Sequence, residues 1–202
     1  TELIVEEVLK LLSAQAQTTT MRNFAKQNCV LDLGTGSGCI AISLAKKCPN
    51  LRVTAVDISS GALEGAKKNA VAHGVSDRVE FAQSDLLGNV MNEPFIGIVA
   101  NLPYIGRDDE NVEKGVRDFE PHSALFGGET GLELFERLFT QLRSNCDSSF
   151  NAQSAHDKWL VAEFGYKQKP ELAKMIKKYF PNAKVEWKKD LAGLDRAFVL
   201  WL

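Results

Sequence analysis

Asp32-Leu33-Gly34-Thr35-Gly36-Ser37-Gly38 sets three glycines at alternate positions behind an acid. Glycines let a backbone turn tightly and approach a ligand where a Cβ would collide. The pattern is G-x-G-x-G, which departs from the G-x-G-x-x-G of dinucleotide binders. Taken alone it is equally a tight strand-to-helix turn. Asp57 follows about 20 residues later, a spacing at which an acid can accept from both hydroxyls of a ribose. It can also serve as a helix cap, because Ile58-Ser59-Ser60 comes next. Gln83-Ser84-Asp85-Leu86 offers an apolar side chain beside an acid, a pairing that can flank an adenine or simply make a turn. Together the three runs outline a nucleoside pocket. They do not separate a methyl donor from a nicotinamide cofactor.

Asn101-Leu102-Pro103-Tyr104 carries a different chemistry. The Asn101 amide oxygen can accept a hydrogen bond from a substrate N–H. Pro103 contributes a carbonyl and no N–H, and Tyr104 can stack on a flat amide or base. Hydrogen bonds to both N–H groups of a planar nitrogen would aim its lone pair at an in-line methyl carbon, which is catalysis by orientation. Acceptors in place would also oppose the positive charge that grows on nitrogen. Neither a metal nor a covalent nucleophile is called for. A proline turn closing a strand is the plain alternative.

These residues need a scaffold that brings their four turns to one edge. Leu3, Ile4, Val8, Leu11 and Leu12 repeat at helical spacing, so residues 1–13 read as a helix. Short apolar runs at 29–33, 51–57, 78–83, 95–100 and 159–164 read as strands. Helical patterns lie between them at 40–47, after Ser59 or Ser60 until Gly74, at 132–142, and from Pro170 to Pro181. Two final strands, 185–187 and 197–201, are joined by a short link at 190–195 that suits a hairpin. The expected fold is therefore α/β, a seven-stranded, mostly parallel sheet with helices on both faces and an antiparallel C-terminal hairpin strand. Ligands of such sheets bind beyond the carboxyl ends of the strands, where the strand order reverses. Residues 18–27 and 145–157 read as polar connections. Residues 105–128 have no sustained period, and a loop of that length is usually functional.

Composition narrows the partners. The chain has 202 residues, 45% hydrophobic and 25% charged, with a formal net charge of −2. That charge argues against affinity built on many phosphate contacts. No apolar run approaches the roughly 20 residues that span a bilayer, and the opening residues show no signal-peptide pattern. Cys29, Cys39, Cys48 and Cys146 form no C-x-x-C pair and have no histidine at ligand spacing, so reduced intracellular thiols are expected. His73, His122 and His156 are scattered. Trp159, Trp187 and Trp201 suit the core or a sheet face, Lys174, Lys177 and Lys178 a solvated helix face, and Arg117 and Glu120 an ion pair or solvent.

The residues from 30 to 38 resemble motif I of class I methyltransferases, and Asp57 and Asp85 fall where that family's cofactor acids fall. N-L-P-Y resembles the [DNS]-[PIL]-P-[YFW] motif of amino-methyltransferases. Asp118-Phe119-Glu120-Pro121, Ala124-Leu125, Gly127-Gly128 and Gly131-Leu132 are similar to the segment that follows N-P-P-Y in the HemK/PrmC family. Glu163-Phe164-Gly165 matches that family's fifth strand end. Its members are N5-glutamine methyltransferases acting on the Gly-Gly-Gln loop of peptide-chain release factors.

The resemblance implies a Rossmann-like class I fold over a single catalytic domain, 1–202, and S-adenosylmethionine as cofactor. Gly34, Thr35, Gly36, Ser37 and Gly38 would hold its methionine part, Asp57 its ribose, and Asp85 and Leu86 would flank its adenine, with Ile58 also at the cofactor. Asn101, Leu102, Pro103 and Tyr104 would clamp the substrate glutamine, with Asn101 also facing the cofactor. Thr1-Glu2 is similar to the end of the family's R-P-x-T-E segment. The arginine and proline, and the family's N-terminal helical domain, lie outside this sequence. Leu102 stands where the family usually has proline. The 144–157 stretch stands where it has a short glycine turn.

Adenine dimethylases of ribosomal RNA also carry N-L-P-Y. Methylation of adenine or cytosine in nucleic acid is therefore the competing function. A nicotinamide-binding or nucleoside-binding module is a third. The expectations are a release-factor protein as partner rather than nucleic acid or membrane, a monomer, and a cytoplasmic or mitochondrial site of action.

Overall fold

The structure is a computed structural model, and it describes residues 1–18, 29–90, 94–106, 127–145 and 158–202. Its elements are α1 (Glu2–Thr18), β1 (Cys29–Leu33), α2 (Cys39–Lys47), β2 (Arg52–Asp57), α3 (Ser60–Ala72), β3 (Val79–Gln83), β4 (Gly97–Ala100), α4 (Glu133–Asn145), β5 (Trp159–Glu163), α5 (Lys169–Tyr179), β6 (Val185–Lys189) and β7 (Asp195–Trp201). The expected order of strands and helices is the observed one. α1 runs past Ser13, because Ala14 to Gln17 are residues that lose little on entering a helix.

The strands form one sheet in the order β3-β2-β1-β4-β5-β7-β6. β1 pairs in parallel with β2 and β4, β2 with β3, and β4 with β5. β7 runs antiparallel to both β5 and β6, so six strands point one way. The chain steps outward from β1 to β3 and then returns to β4 on the other side of β1. The order thus reverses between β1 and β4, and it is at the carboxyl edge of such a reversal that ligands of open α/β sheets bind.

Alternation along the strands divides the core. Leu31, Leu33, Ile98, Ala100 and Leu160 face α4 and α5, whose Phe135, Leu138, Phe139, Leu172 and Ile176 cover them. Val30, Val53, Ala55, Val99 and Val161 face the other way, beneath Ile4, Val8 and Leu12 of α1 and Ile40, Ala41 and Leu44 of α2. Trp159 is buried there, and a Cβ on Gly97 would overlap its indole ring. Trp187 packs edge-on to Phe164, 5.4 Å between centroids, on the opposite face.

Cys39 and Cys48 are free thiols, and Cys29 Sγ lies 3.4 Å from Thr54 Oγ1. Lys174 and Lys178 pair with Glu171 and Glu136 on the exposed side of α5. Among the described residues no helix is long and apolar enough to cross a membrane. The readings at 19–27, 107–126 and 146–157 lie outside the described residues. They include Arg117, the run from Asp118 to Pro121, His122, Ala124, Leu125, Cys146 and His156.

Candidate active site

The glycine turn is built by bonds to the neighbouring strand. Gly34, Gly36 and Gly38 have φ of 67°, 54° and 82°, the left-handed region that favours glycine. Thr35 N donates to the Val56 carbonyl at 2.9 Å, and Gly36 N donates to Asp57 Oδ2 at 2.9 Å. Asp57 Oδ1 accepts from Ser59 N at 2.9 Å, and Ser59 Oγ in turn accepts from Ala62 N to start α3. Asp57 therefore braces Ser59, the residue that caps α3, and ties β2 to the glycine turn, a bond the sequence reading did not foresee. Each of its oxygens keeps a further lone pair for a diol. A Cβ on Gly36 would meet nothing within 4 Å, so open space lies above the turn where a ligand's methionine portion would rest. Ile58, beside Asp57, is 63% exposed.

Asp32 is a site residue that the motif reading left out. It is fully buried, and Oδ2 accepts from Thr35 Oγ1 at 2.7 Å and from Ala41 N at 3.2 Å. Oδ1 meets no hydrogen-bond partner among the described residues. Burial pushes its carboxyl up to about 7, against the pull of those two bonds and with a smaller push from Asp57. The sequence signal was an acid on the same strand face as Val30, inside an apolar run. A buried acid with an unpartnered oxygen under a glycine turn fits a site made for a cationic group. The open cradle, the spare lone pairs of Asp57 and this acid all fit S-adenosylmethionine.

The Gln83–Leu86 turn is unusual. Leu86 has φ of 52°, the one non-glycine residue in the left-handed region among those described. Such strain collects at functional turns. Its side chain is packed into the core at 7% exposed, so a base would meet only its edge. Asp85 is half-exposed and pairs with Arg137 of α4 at 2.5 Å.

Asn101 leaves β4 directly beside the glycine turn, since Leu33 and Ala100 are partners across β1 and β4. A Cβ on Gly34 would stand 3.2 Å from Leu102 Cδ2 and 3.8 Å from the Asn101 carbonyl oxygen. Asn101 Nδ2 donates to Thr1 Oγ1 at 3.0 Å, which occupies the donor end of the amide and leaves Oδ1 as its acceptor. The backbone beyond it is gripped by glycines: a Cβ on Gly127 would collide with the Pro103 carbonyl, and one on Gly131 with the Tyr104 carbonyl. Gln168 Nε2 donates to Tyr104 O at 2.8 Å and Thr130 O at 3.1 Å, while its Oε1 accepts from Gly165 N. Tyr104 Oη donates to Glu163 Oε1 at 3.1 Å. Burial first, then the Glu163 carboxylate, pushes the phenol up to about 12, with the nearby Arg196 guanidinium opposing, so Tyr104 stays neutral. The sequence reading named neither Gln168 nor Arg196; each lies more than sixty residues from Tyr104 along the chain.

The family model described as methyltransferase small domain matches residues 12–118, more than half of the chain. The chain belongs to that family. Release factor glutamine methyltransferase of Koribacter versatilis is 38% identical over 98% of the chain and 64% of its own length. The protein of the same name from Flavobacterium psychrophilum is 37% identical over 97% and 64%. The chain thus spans under two thirds of the curated relatives it matches. The N-terminal domain of human METTL16, solved in complex with SAH, superposes with a TM-score of 0.64 at 15% identity, over 100% of this chain and 70% of that one. The fold is that of class I S-adenosylmethionine methyltransferases.

Proposed function

We propose that this chain is the catalytic domain, over 1–202, of an S-adenosylmethionine-dependent methyltransferase acting on N5 of the glutamine in the Gly-Gly-Gln motif of peptide-chain release factors. The observation that carries it is the place of Asn101 and Leu102 against Gly34, where a Cβ would meet the Leu102 side chain and the Asn101 carbonyl, at the switch point of the sheet. It sets an amide acceptor next to an open cradle fit for a methyl donor. The relatives' names supply the substrate.

When bound, S-adenosylmethionine supplies the sulfonium methyl group. Gly34 to Gly38 leave room for its methionine part, Asp57 accepts from the ribose, Asp85 and the edge of Leu86 border the adenine, and the exposed Ile58 lies beside Asp57 on the same cofactor. Asn101 Oδ1 accepts from the glutamine amide N–H, and the backbone carbonyl of Pro103 offers a second acceptor. Those bonds orient the nitrogen lone pair and oppose its growing positive charge. Tyr104, neutral and anchored on Glu163, lends a flat face to the amide. The reading carries with it a monomer working in a translating compartment, cytoplasmic or mitochondrial.

Incubation with labelled S-adenosylmethionine and either a release factor or RNA and DNA tests it. A mass gain of one methyl on the tryptic peptide carrying Gly-Gly-Gln is expected. Label on nucleic acid alone would reject it in favour of adenine or cytosine methylation.

A further inference from the structure

The turn joining β6 to β7, residues 190–194, lies on the same sheet edge as the Asn101 loop, because β6 runs parallel to β4. It is firmly built. Asp190 N donates to Leu194 O at 2.9 Å and Gly193 N to Asp190 O at 2.9 Å. Asp190 Oδ1 accepts from both Ala192 N and Leu194 N, and Lys189 Nζ donates to the Gly193 carbonyl. Gly193 has φ of 80°. Yet this ordered turn holds Leu191 wholly in solvent, with Leu194 40% exposed. Leucines fixed on a rigid turn lose little freedom when they bind.

The turn is wired to the reacting loop. Arg196 Nε donates to Asp190 Oδ2 at 3.3 Å, its guanidinium lies 5.7 Å from the centre of the exposed Tyr166 ring, and its charge is near enough to Tyr104 to oppose the rise of that phenol. Leu194 is two residues from Arg196, about 7 Å along a strand. Among the described residues, Lys169 and Lys189 pair with Asp195 and Arg196 with Asp190 at the base of this turn, and Lys167 lies over the Tyr166 ring, so four cations meet two acids there.

We infer that the β6–β7 turn, with Leu191 and Leu194 at its tip and Tyr166 beside it, is a docking surface for the protein substrate. It receives an apolar segment flanked by acidic residues, adjacent to the loop that enters the active site. This rests on the release-factor reading above. Protein is the occupant because the tip presents leucines, for which a phosphate backbone offers no apolar partner, while the surplus of cations over acids beneath them suits acidic side chains.

The test compares wild type with Leu191→Asp/Leu194→Asp on a whole release factor and on a short peptide carrying Gly-Gly-Gln. For the variant, KM for the whole protein should rise about tenfold or more, with kcat and the peptide's kcat/KM held within about twofold. Leu191→Met/Leu194→Met should behave as wild type, and an unchanged affinity for S-adenosylhomocysteine checks the fold. An unchanged KM for the whole protein, or an equal loss on protein and peptide, overturns the docking surface while leaving the release-factor reading intact. Failure of wild type itself to methylate the release factor overturns both.

Discussion

The turns after β1 and β4 sit side by side at the switch point, yet they are held in opposite ways. The glycine turn is fixed by its own motif and the next strand, through Thr35 to Val56, Gly36 to Asp57 and Thr35 to Asp32. The Asn101 loop is fixed by residues remote in sequence: Thr1, Gly127, Gly131, Glu163 and Gln168. Their glycines differ in the same sense. Gly36 lacks a Cβ where the space is open, leaving room for a ligand. Gly131 lacks one where the Tyr104 carbonyl already stands, leaving room for the protein's own backbone. The donor side is thus a local device, and the acceptor side is an assembly of the whole fold.

The sharpest way to break this contrast is Asn101→Ala. Removing one acceptor that acts on developing charge should lower kcat by about 10²–10³, with S-adenosylhomocysteine affinity by calorimetry little changed. A variant that lost affinity but kept turnover would move Asn101 to the donor side.

Gly131→Ala and Gly36→Ala come next. At Gly131 the new methyl collides with backbone, and φ of 78° is strained for alanine, so stability should fall by about 1–3 kcal/mol and turnover with it. At Gly36 the methyl meets no protein atom. The strain of φ 54° alone costs about 1–2 kcal/mol, and the larger loss should be in cofactor affinity. Thermal melts with and without S-adenosylhomocysteine separate the two. If Gly36→Ala bound the product as tightly as wild type, the space above it would not be the cradle.

The contrast explains what could be read from the residues alone. β1, its glycines, Asp57 and N-L-P-Y are contiguous or regularly spaced, so their types and periods place them. The supports of the Asn101 loop have no local signature. Gln168 is one glutamine before a helix, and Arg196 one arginine in a strand; only folding brings them to Tyr104. Gly127 and Gly131 were legible through family likeness, and the structure supplies their cause in the crowded carbonyls. Leu86 has no sequence mark of its left-handed backbone, because leucine is among the residues least suited to it.

Asp32 sharpens the donor side through pH. Its carboxyl is raised from 3.8 to about 7 in the folded protein, chiefly by burial, so the folded state holds its proton more tightly than the unfolded chain. The associated stability is full below the unfolded value and is lost as pH rises through about 7, with a slope of at most about 1.4 kcal/mol per pH unit. Asp32→Asn removes that slope. Melting temperatures of the two proteins should therefore converge, or cross in favour of the variant, between pH 5 and pH 8. Parallel curves would mean that Asp32 is already ionised when folded, with a partner for Oδ1.

Arg137→Ala should have the smallest effect, and it tests where the donor side ends. The Arg137–Asp85 pair is about half exposed on both partners, 49% and 50%, and exposed pairs contribute about 0–1 kcal/mol. Its removal should leave the melting temperature nearly unchanged. If Asp85 borders the adenine, freeing it from Arg137 should weaken S-adenosylhomocysteine binding by no more than about fivefold, and added salt should shrink the difference, because screening already weakens the pair in wild type. kcat at saturating donor should stay where it was. A fall in kcat with affinity intact would assign the Asp85 turn to the acceptor side, and α4 would then join Gln168 and Glu163 among the distant supports of the reacting loop.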